Sequence, residues 1–190
     1  IITSTHNTIL FFTNKGLVYQ LKGYEIPESG RTAKGTAIVN LLPLAKEETI
    51  TAIIPIKEFS KDRYLFMATR HGIVKKTGLS EFDTNRKKTG LIALSLKEND
   101  ELIGVKLTDG NRQIIIGTRD GMSICFNEQD VRPMGRTARG VIGIKLKGED
   151  TVIGMDNIRD DCEVLTVTEH GFGKRTATSE YRTQTRGGIG

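Results

Sequence analysis

A two-part phrase occurs four times along this chain, and no other feature of the sequence constrains the fold as strongly. Its first part is Thr-x-x-Gly: Thr13-Asn14-Lys15-Gly16, Thr69-Arg70-His71-Gly72, Thr118-Arg119-Asp120-Gly121 and Thr168-Glu169-His170-Gly171. Its second part, Arg-x-x-x-Gly, follows at a nearly constant distance and pairs Arg31 with Gly35, Arg86 with Gly90, Arg136 with Gly140 and Arg186 with Gly190. The repeat length is about 50 residues. A unit of that size cannot bury its apolar surface alone and must stack on its neighbours. A repeated surface also favours an extended binding face over a single catalytic pocket.

Apolar and β-branched runs bounded by turn residues predict four short strands per unit. In the first they cover 8–13, 17–22, 36–42 and 50–56; in the second 64–69, 73–77, 91–96 and 102–107. The third gives 113–118, 122–126, 141–146 and 151–155, and the fourth gives 163–168 and 172–176 before its third strand. No segment reads as a helix. Thr-x-x-Gly suits a tight hairpin whose glycine takes φ > 0. The connection holding Arg-x-x-x-Gly is too long for a hairpin and is expected to carry a strand to a neighbouring unit or across the rim. The fold class is therefore all-β, a propeller-like array of four-stranded blades, incomplete at both ends. Residues 1–190 form one repeat domain, with blades at about 8–56, 63–108, 112–158 and 162–190.

The charge pattern indicates what such an array would bind. The net charge is only +5, from 28 Lys and Arg against 23 Asp and Glu, so position matters more than total. Between the second and third strands lie Arg31 and Lys34; Arg86, Lys87 and Lys88; Arg132, Arg136 and Arg139; and Arg182 and Arg186. Shortly after the turn glycine lie Lys75 and Lys76 in the second repeat, and Lys174 and Arg175 in the fourth. Acidic residues gather before the last strand, as Glu47-Glu48, Asp100-Glu101 and Glu149-Asp150. Stacked repeats would align these as a basic stripe on one edge and an acidic set on another. A curved basic rim suits bent duplex DNA, where phosphate contacts offset a bending cost of about 1–6 kcal/mol for 40–90°. Open backbone beside the glycines adds N–H groups that can approach phosphate. With no Trp and 6% aromatics, stacking on single strands is disfavoured. Without a helix, major-groove readout is disfavoured too.

Nothing in the sequence points to chemistry within this segment. Gly173-Lys174-Arg175-Thr176 lacks phosphate-loop spacing, and His71 and His170 share a turn position rather than forming a metal site. Cys125 and Cys162 show no paired spacing and read as buried strand residues. No apolar run reaches the roughly eighteen residues of a membrane span. The expectation is no catalytic residue, no metal and no cofactor.

The phrases Phe11-Phe12-Thr13-Asn14-Lys15-Gly16, Arg31-Thr32-Ala33-Lys34-Gly35, Arg136-Thr137-Ala138-Arg139-Gly140 and Gly173-Lys174-Arg175-Thr176 resemble the C-terminal domain of the DNA gyrase A subunit, over essentially the whole chain. The resemblance implies a β-pinwheel, a disc whose blades exchange strands and whose basic perimeter wraps double-stranded DNA. It implies work within a type II topoisomerase that adds negative supercoils. Its partners there would be the rest of the A subunit, and the B subunit of gyrase, in a heterotetramer. That holoenzyme uses ATP and Mg2+ and is cytoplasmic and chromosome-associated. The family's box, Gln-Arg-Arg-Gly-Gly-x-Gly in its first blade, finds its nearest match in the fourth repeat here. It spans Gln184, Arg186, Gly187, Gly188 and Gly190, with Thr185 at the second position, and reads as a box-like turn rather than the box. Two alternatives stand beside this reading: the equivalent domain of the topoisomerase IV A subunit, and a propeller-like protein–protein interaction module.

Overall fold

The computed structural model describes residues 1–84, 89–159 and 161–190, and among these the regular structure is β-strand with short 3-10 turns. The first sheet has the order β3 (Ile50–Ile56), β1 (Thr8–Thr13), β2 (Leu17–Lys22), β6 (Leu91–Ile92). The second runs β7 (Leu102–Thr108), β4 (Tyr64–Thr69), β5 (Ile73–Gly78), β10 (Val141–Ile142). The third runs β11 (Val152–Ile158), β8 (Gln113–Thr118), β9 (Ser123–Asn127), and the fourth is a hairpin of β12 (Glu163–Val167) and β13 (Gly173–Ala177). Pairing within the sheets is antiparallel.

The outer strands are exchanged. β6 belongs by sequence to the second repeat but pairs with β2 of the first, Leu17 opposite Ile92 and Val18 opposite Leu91. One repeat on, β10 pairs with β5 in the same register, Ile73 opposite Ile142 and Val74 opposite Val141. The fourth repeat reaches the third through single bridges, Cys125 on β9 to Thr183 and Ile144, just past β10, to Gly188. In the second and third repeats the long connection thus does carry a strand to the neighbour. The predicted strands 91–96 and 141–146 shorten to two residues each, because only that length lies along the partner edge.

This arrangement explains why the first strand of each early repeat is apolar throughout. Side chains alternate between faces of a strand. Leu10 and Phe12 join Leu65, Met67 and Phe82 in a core between the first and second sheets, with Phe12 and Phe82 edge to face. Phe66 and Ala68, on the other face of β4, meet Ile114, Ile116 and Phe126 between the second and third. Ile9 and Phe11 face the other way, onto Tyr19, Leu21 and Leu42. Here the sequence expectation needs correction. Residues 36–42 form no strand; they make a 3-10 turn at Ile38–Asn40, and Ile38, Leu41 and Leu42 pack over that face of the first sheet. By contrast the β12–β13 hairpin carries exposed Leu165, Val167 and Phe172, and the first two line an open cleft of about 980 Å³ together with Ile115 and Met155. Cys125 is buried as expected, but Cys162 is exposed beside this cleft.

The Thr-x-x-Gly hairpins form as the residue types demand. Gly16, Gly72, Gly121 and Gly171 have φ of +72°, +79°, +85° and +83°. Each donates its N–H to the carbonyl of the phrase's threonine at 3.0–3.1 Å. One member of each acidic pair before the last strands is not on an exposed edge: Glu48, Asp100 and Asp150 are buried and cap turns, while Glu47 and Glu149 are exposed and Glu101 is half-buried. Asp100 Oδ1 accepts from the N–H groups of His71 and Glu101, at 3.0 and 2.9 Å. Asp150 Oδ1 accepts from those of Asp120 and Thr151, at 3.0 and 2.7 Å. Asp100→Ala should cost about 1–3 kcal/mol in urea unfolding, since it strands two donors in a part-buried turn.

Acid should act through Asp150. Burial alone would raise its pKa, but hydrogen bonds from the Thr118 hydroxyl and the Asp120 and Thr151 N–H groups, helped by Arg119, outweigh burial and hold it below the ordinary 3.8. A folded-state pKa below the unfolded one gives stabilisation that is full above the unfolded value and disappears as pH falls through the folded value. Asp150→Asn should therefore shrink the loss of stability on the acid side, measured by urea midpoints across that range.

Candidate nucleic-acid interface

The inner strands β3, β7 and β11 stand side by side, and each begins its sheet, so the exchanged strands lie outermost. The Arg-x-x-x-Gly phrases ending at Gly90 and Gly140 lead directly into those exchanged segments and therefore lie on the perimeter, whereas Arg31 to Gly35 leads into the 3-10 segment that covers a face of the first sheet. At Gly140 and Gly190 backbone crosses backbone, while Gly90 lies against the Tyr19 ring. A Cβ on Gly140 would sit 2.5 Å from the Val74 carbonyl oxygen, and one on Gly190 would sit 2.9 Å from that of Ser123. The two halves of the repeated phrase meet in space: Gly16 O accepts from Ala93 and Leu94 N–H, and Gly72 O accepts from Gly143 and Ile144 N–H. The turn of one blade is the landing place for the strand that the next blade sends.

On the connections that hold these phrases Arg31, Lys34, Arg132, Arg139 and Arg182 are exposed. None of the ion pairs or side-chain hydrogen bonds among the described residues engages them. Lys174 and Arg175 are exposed on β13, and Arg175 lies 3.2 Å from Glu163. Arg136 and Arg186 are half-buried. Arg86, Lys87 and Lys88 lie outside the described residues. Lys145, which the sequence reading did not select, adds an exposed cation just past β10, where its N–H meets Gly188 O at 2.7 Å. Its position immediately after an exchanged strand was the available signal.

Lys75 and Lys76 are not on the rim. Both are buried, because successive residues of β5 point to opposite faces and a neighbouring blade or connection covers each face. Lys75 Nζ donates to Ala93 O at 2.7 Å and also to Arg136 O. Burial, then the nearby Arg136 charge, lowers its pKa to about 8 against the opposing pull of Glu81. Lys76 Nζ donates to Glu128 O at 2.9 Å and lies 5.3 Å from the Tyr64 ring centroid. Burial lowers its pKa too, opposed by the charge of Glu128. Lys174 and Arg175, at the matching positions of β13, are exposed.

The box-like turn docks the fourth repeat on the third. Gln184 N donates to Cys125 O at 2.9 Å, and Gly187 N, at φ +81°, donates to Gly143 O at 2.6 Å. Arg186 Nε donates to Asp130 O at 2.8 Å and its NH1 donates to Ile142 O at 3.0 Å. Gly188 bridges to Ile144, and Gly190, at φ +107°, passes over Ser123. This guanidinium is spent on the protein's own backbone.

A succession of antiparallel blades that exchange their outer strands is the arrangement of a β-pinwheel. The family model described as DNA gyrase C-terminal domain, beta-propeller, matches residues 7–57, 63–109, 112–159 and 163–190. The DNA gyrase A subunit of Staphylococcus epidermidis is 52% identical over 190 residues, covering 98% of this chain and 21% of that protein. The crystal structure of the C-terminal domain of DNA topoisomerase IV superposes with a TM-score of 0.92 at 32% identity, over 99% of this chain and 58% of that one. The structure of the DNA gyrase A C-terminal domain gives 0.81 at 28% identity, over 99% and 60%. The chain belongs to the DNA gyrase C-terminal domain family, that of the A subunit. It spans about a fifth of the length of the curated relatives it matches.

Proposed function

We propose that this domain binds duplex DNA without sequence preference and bends it around its perimeter. In this reading it is the DNA-wrapping part of a type IIA topoisomerase that introduces negative supercoils with ATP. It would act beside the rest of the A subunit, and beside the B subunit of gyrase, with DNA cleavage and ATP hydrolysis performed outside this chain. One observation carries the proposal: exposed cations free of ion pairs recur on the connections that hold the Arg-x-x-x-Gly phrases, as Arg31 and Lys34, Arg132 and Arg139, and Arg182. Cations so placed contact phosphates, which fix position on the duplex but carry no base information. Curvature makes successive contacts possible only on bent DNA, so contact energy offsets the elastic cost.

The test is a titration with duplexes of unrelated sequence at several salt concentrations. Each phosphate neutralised releases counterions and contributes about −0.9 to the slope of log K against log salt. A steep slope shared by all duplexes is expected. Binding indifferent to salt would remove the reading.

A further inference from the structure

Consecutive perimeter connections are stitched together at two seams built on one plan, and the seams differ in which cation holds them. In the first, Ser95 N donates to Ala138 O at 3.3 Å; at the same repeat positions in the second, Lys145 N donates to Gly188 O at 2.7 Å. In the first seam the Ala93 and Arg136 carbonyls are drawn at least partly away from water and need donors. In the second seam Gly143 O, at the repeat position of Ala93 O, takes the Gly187 N–H, and the loop's own Arg186 reaches two other carbonyls at the surface, Asp130 O and Ile142 O. The matching arginine of the first seam is Arg136, whose guanidinium has no hydrogen bond or ion pair among the described residues. There the donor is Lys75, bonded to Ala93 O and to the backbone carbonyl of Arg136 itself. The third-blade residue at the repeat position of Lys75 is the apolar Ile124, buried in the core between second and third sheets.

We infer that Lys75 is a positioning residue for the rim: by bonding from beneath to the backbone carbonyl of Arg136, it sets that loop so that the Arg136 guanidinium is free to meet a phosphate. Lys75 fixes the place of Arg136 through its backbone, and like charge discourages the guanidinium from folding inward. Arg186, with an isoleucine beneath its loop, turns in and is withdrawn from the rim. Two arginines at one repeat position thus do different work, and the residue beneath decides which. The inference rests on the DNA-binding reading proposed above.

The test compares the unaltered chain with Lys75→Met, Arg136→Ala, the double variant and Arg186→Ala. Duplex affinity is read against salt, and stability by thermal melting. Lys75→Met should weaken binding several-fold and flatten the log–log slope by about one, as for a lost phosphate contact. Adding Arg136→Ala to Lys75→Met should weaken binding no further, because that arginine has already turned inward. Arg186→Ala should lower the melting temperature and leave the slope unchanged. Full additivity of the Lys75 and Arg136 changes, or unaltered binding in Lys75→Met, would overturn the inference while DNA binding by the unaltered chain stands. Should Lys75→Met fail to fold, the two arginine variants decide: equal losses of slope at Arg136 and Arg186 overturn it. Absence of salt-dependent binding in the unaltered chain would instead defeat the DNA-binding reading itself.

Discussion

Gly72→Ala should destabilise the fold by about 3–4 kcal/mol, whereas Gly148→Ala should cost only about 1–2 kcal/mol. Both glycines sit in turns at positive φ, +79° and +54°, so a Cβ meets a backbone penalty at each. The difference lies in what arrives from the next blade. A Cβ on Gly72 would stand 2.6 Å from the Ile144 carbonyl oxygen, which is backbone and cannot swing aside. Relief requires the exchanged segment to back away, weakening the bonds from Gly143 and Ile144 N–H to Gly72 O at 2.8 and 3.3 Å. Around Gly148 the space is open within 4 Å. Urea unfolding of the two variants, compared at equal m-values, measures the contrast. Equal costs would mean that strand exchange contributes nothing at this turn.

The largest effect on ligand binding is expected from the triple change Arg132→Ala, Arg139→Ala and Arg182→Ala. All three side chains are exposed and unpaired, so their removal should leave the melting temperature within a few degrees. If each neutralises one phosphate, the slope of log K against log salt should become shallower by about 2.7. The loss in affinity should be similar for all duplex sequences, because phosphates are the same at every step. A large change in preference among duplexes, with an unchanged slope, would move these arginines from backbone contact to base contact.

These two predictions draw on different amounts of sequence information. Local rules predicted the turns: Thr-x-x-Gly names a hairpin because only glycine adopts positive φ without penalty. They also located most strands, since β1 and β8 are short apolar runs bounded by turn residues. Segment 36–42 has the same apolar character but became a 3-10 turn, because it packs on a sheet face instead of pairing along an edge. Lys75 and Lys76 show the same limit at the interface. Charge predicted exposure, and the neighbouring blade overruled it by offering carbonyls to each ammonium. Asp100 and Asp150 were misplaced for a related reason, since a carboxylate that caps a turn looks in sequence like any solvated acid.

The period, the all-β class, the hairpin glycines and the family were legible in the residues alone, because these depend on local backbone preference and on spacing along one chain. The packed molecule was needed to establish which repeat receives each outer strand, which lysines are buried, and whether an arginine of the rim faces solvent or its own backbone. Those outcomes depend on groups about fifty residues away in sequence that reach the same place only after one blade has landed on another.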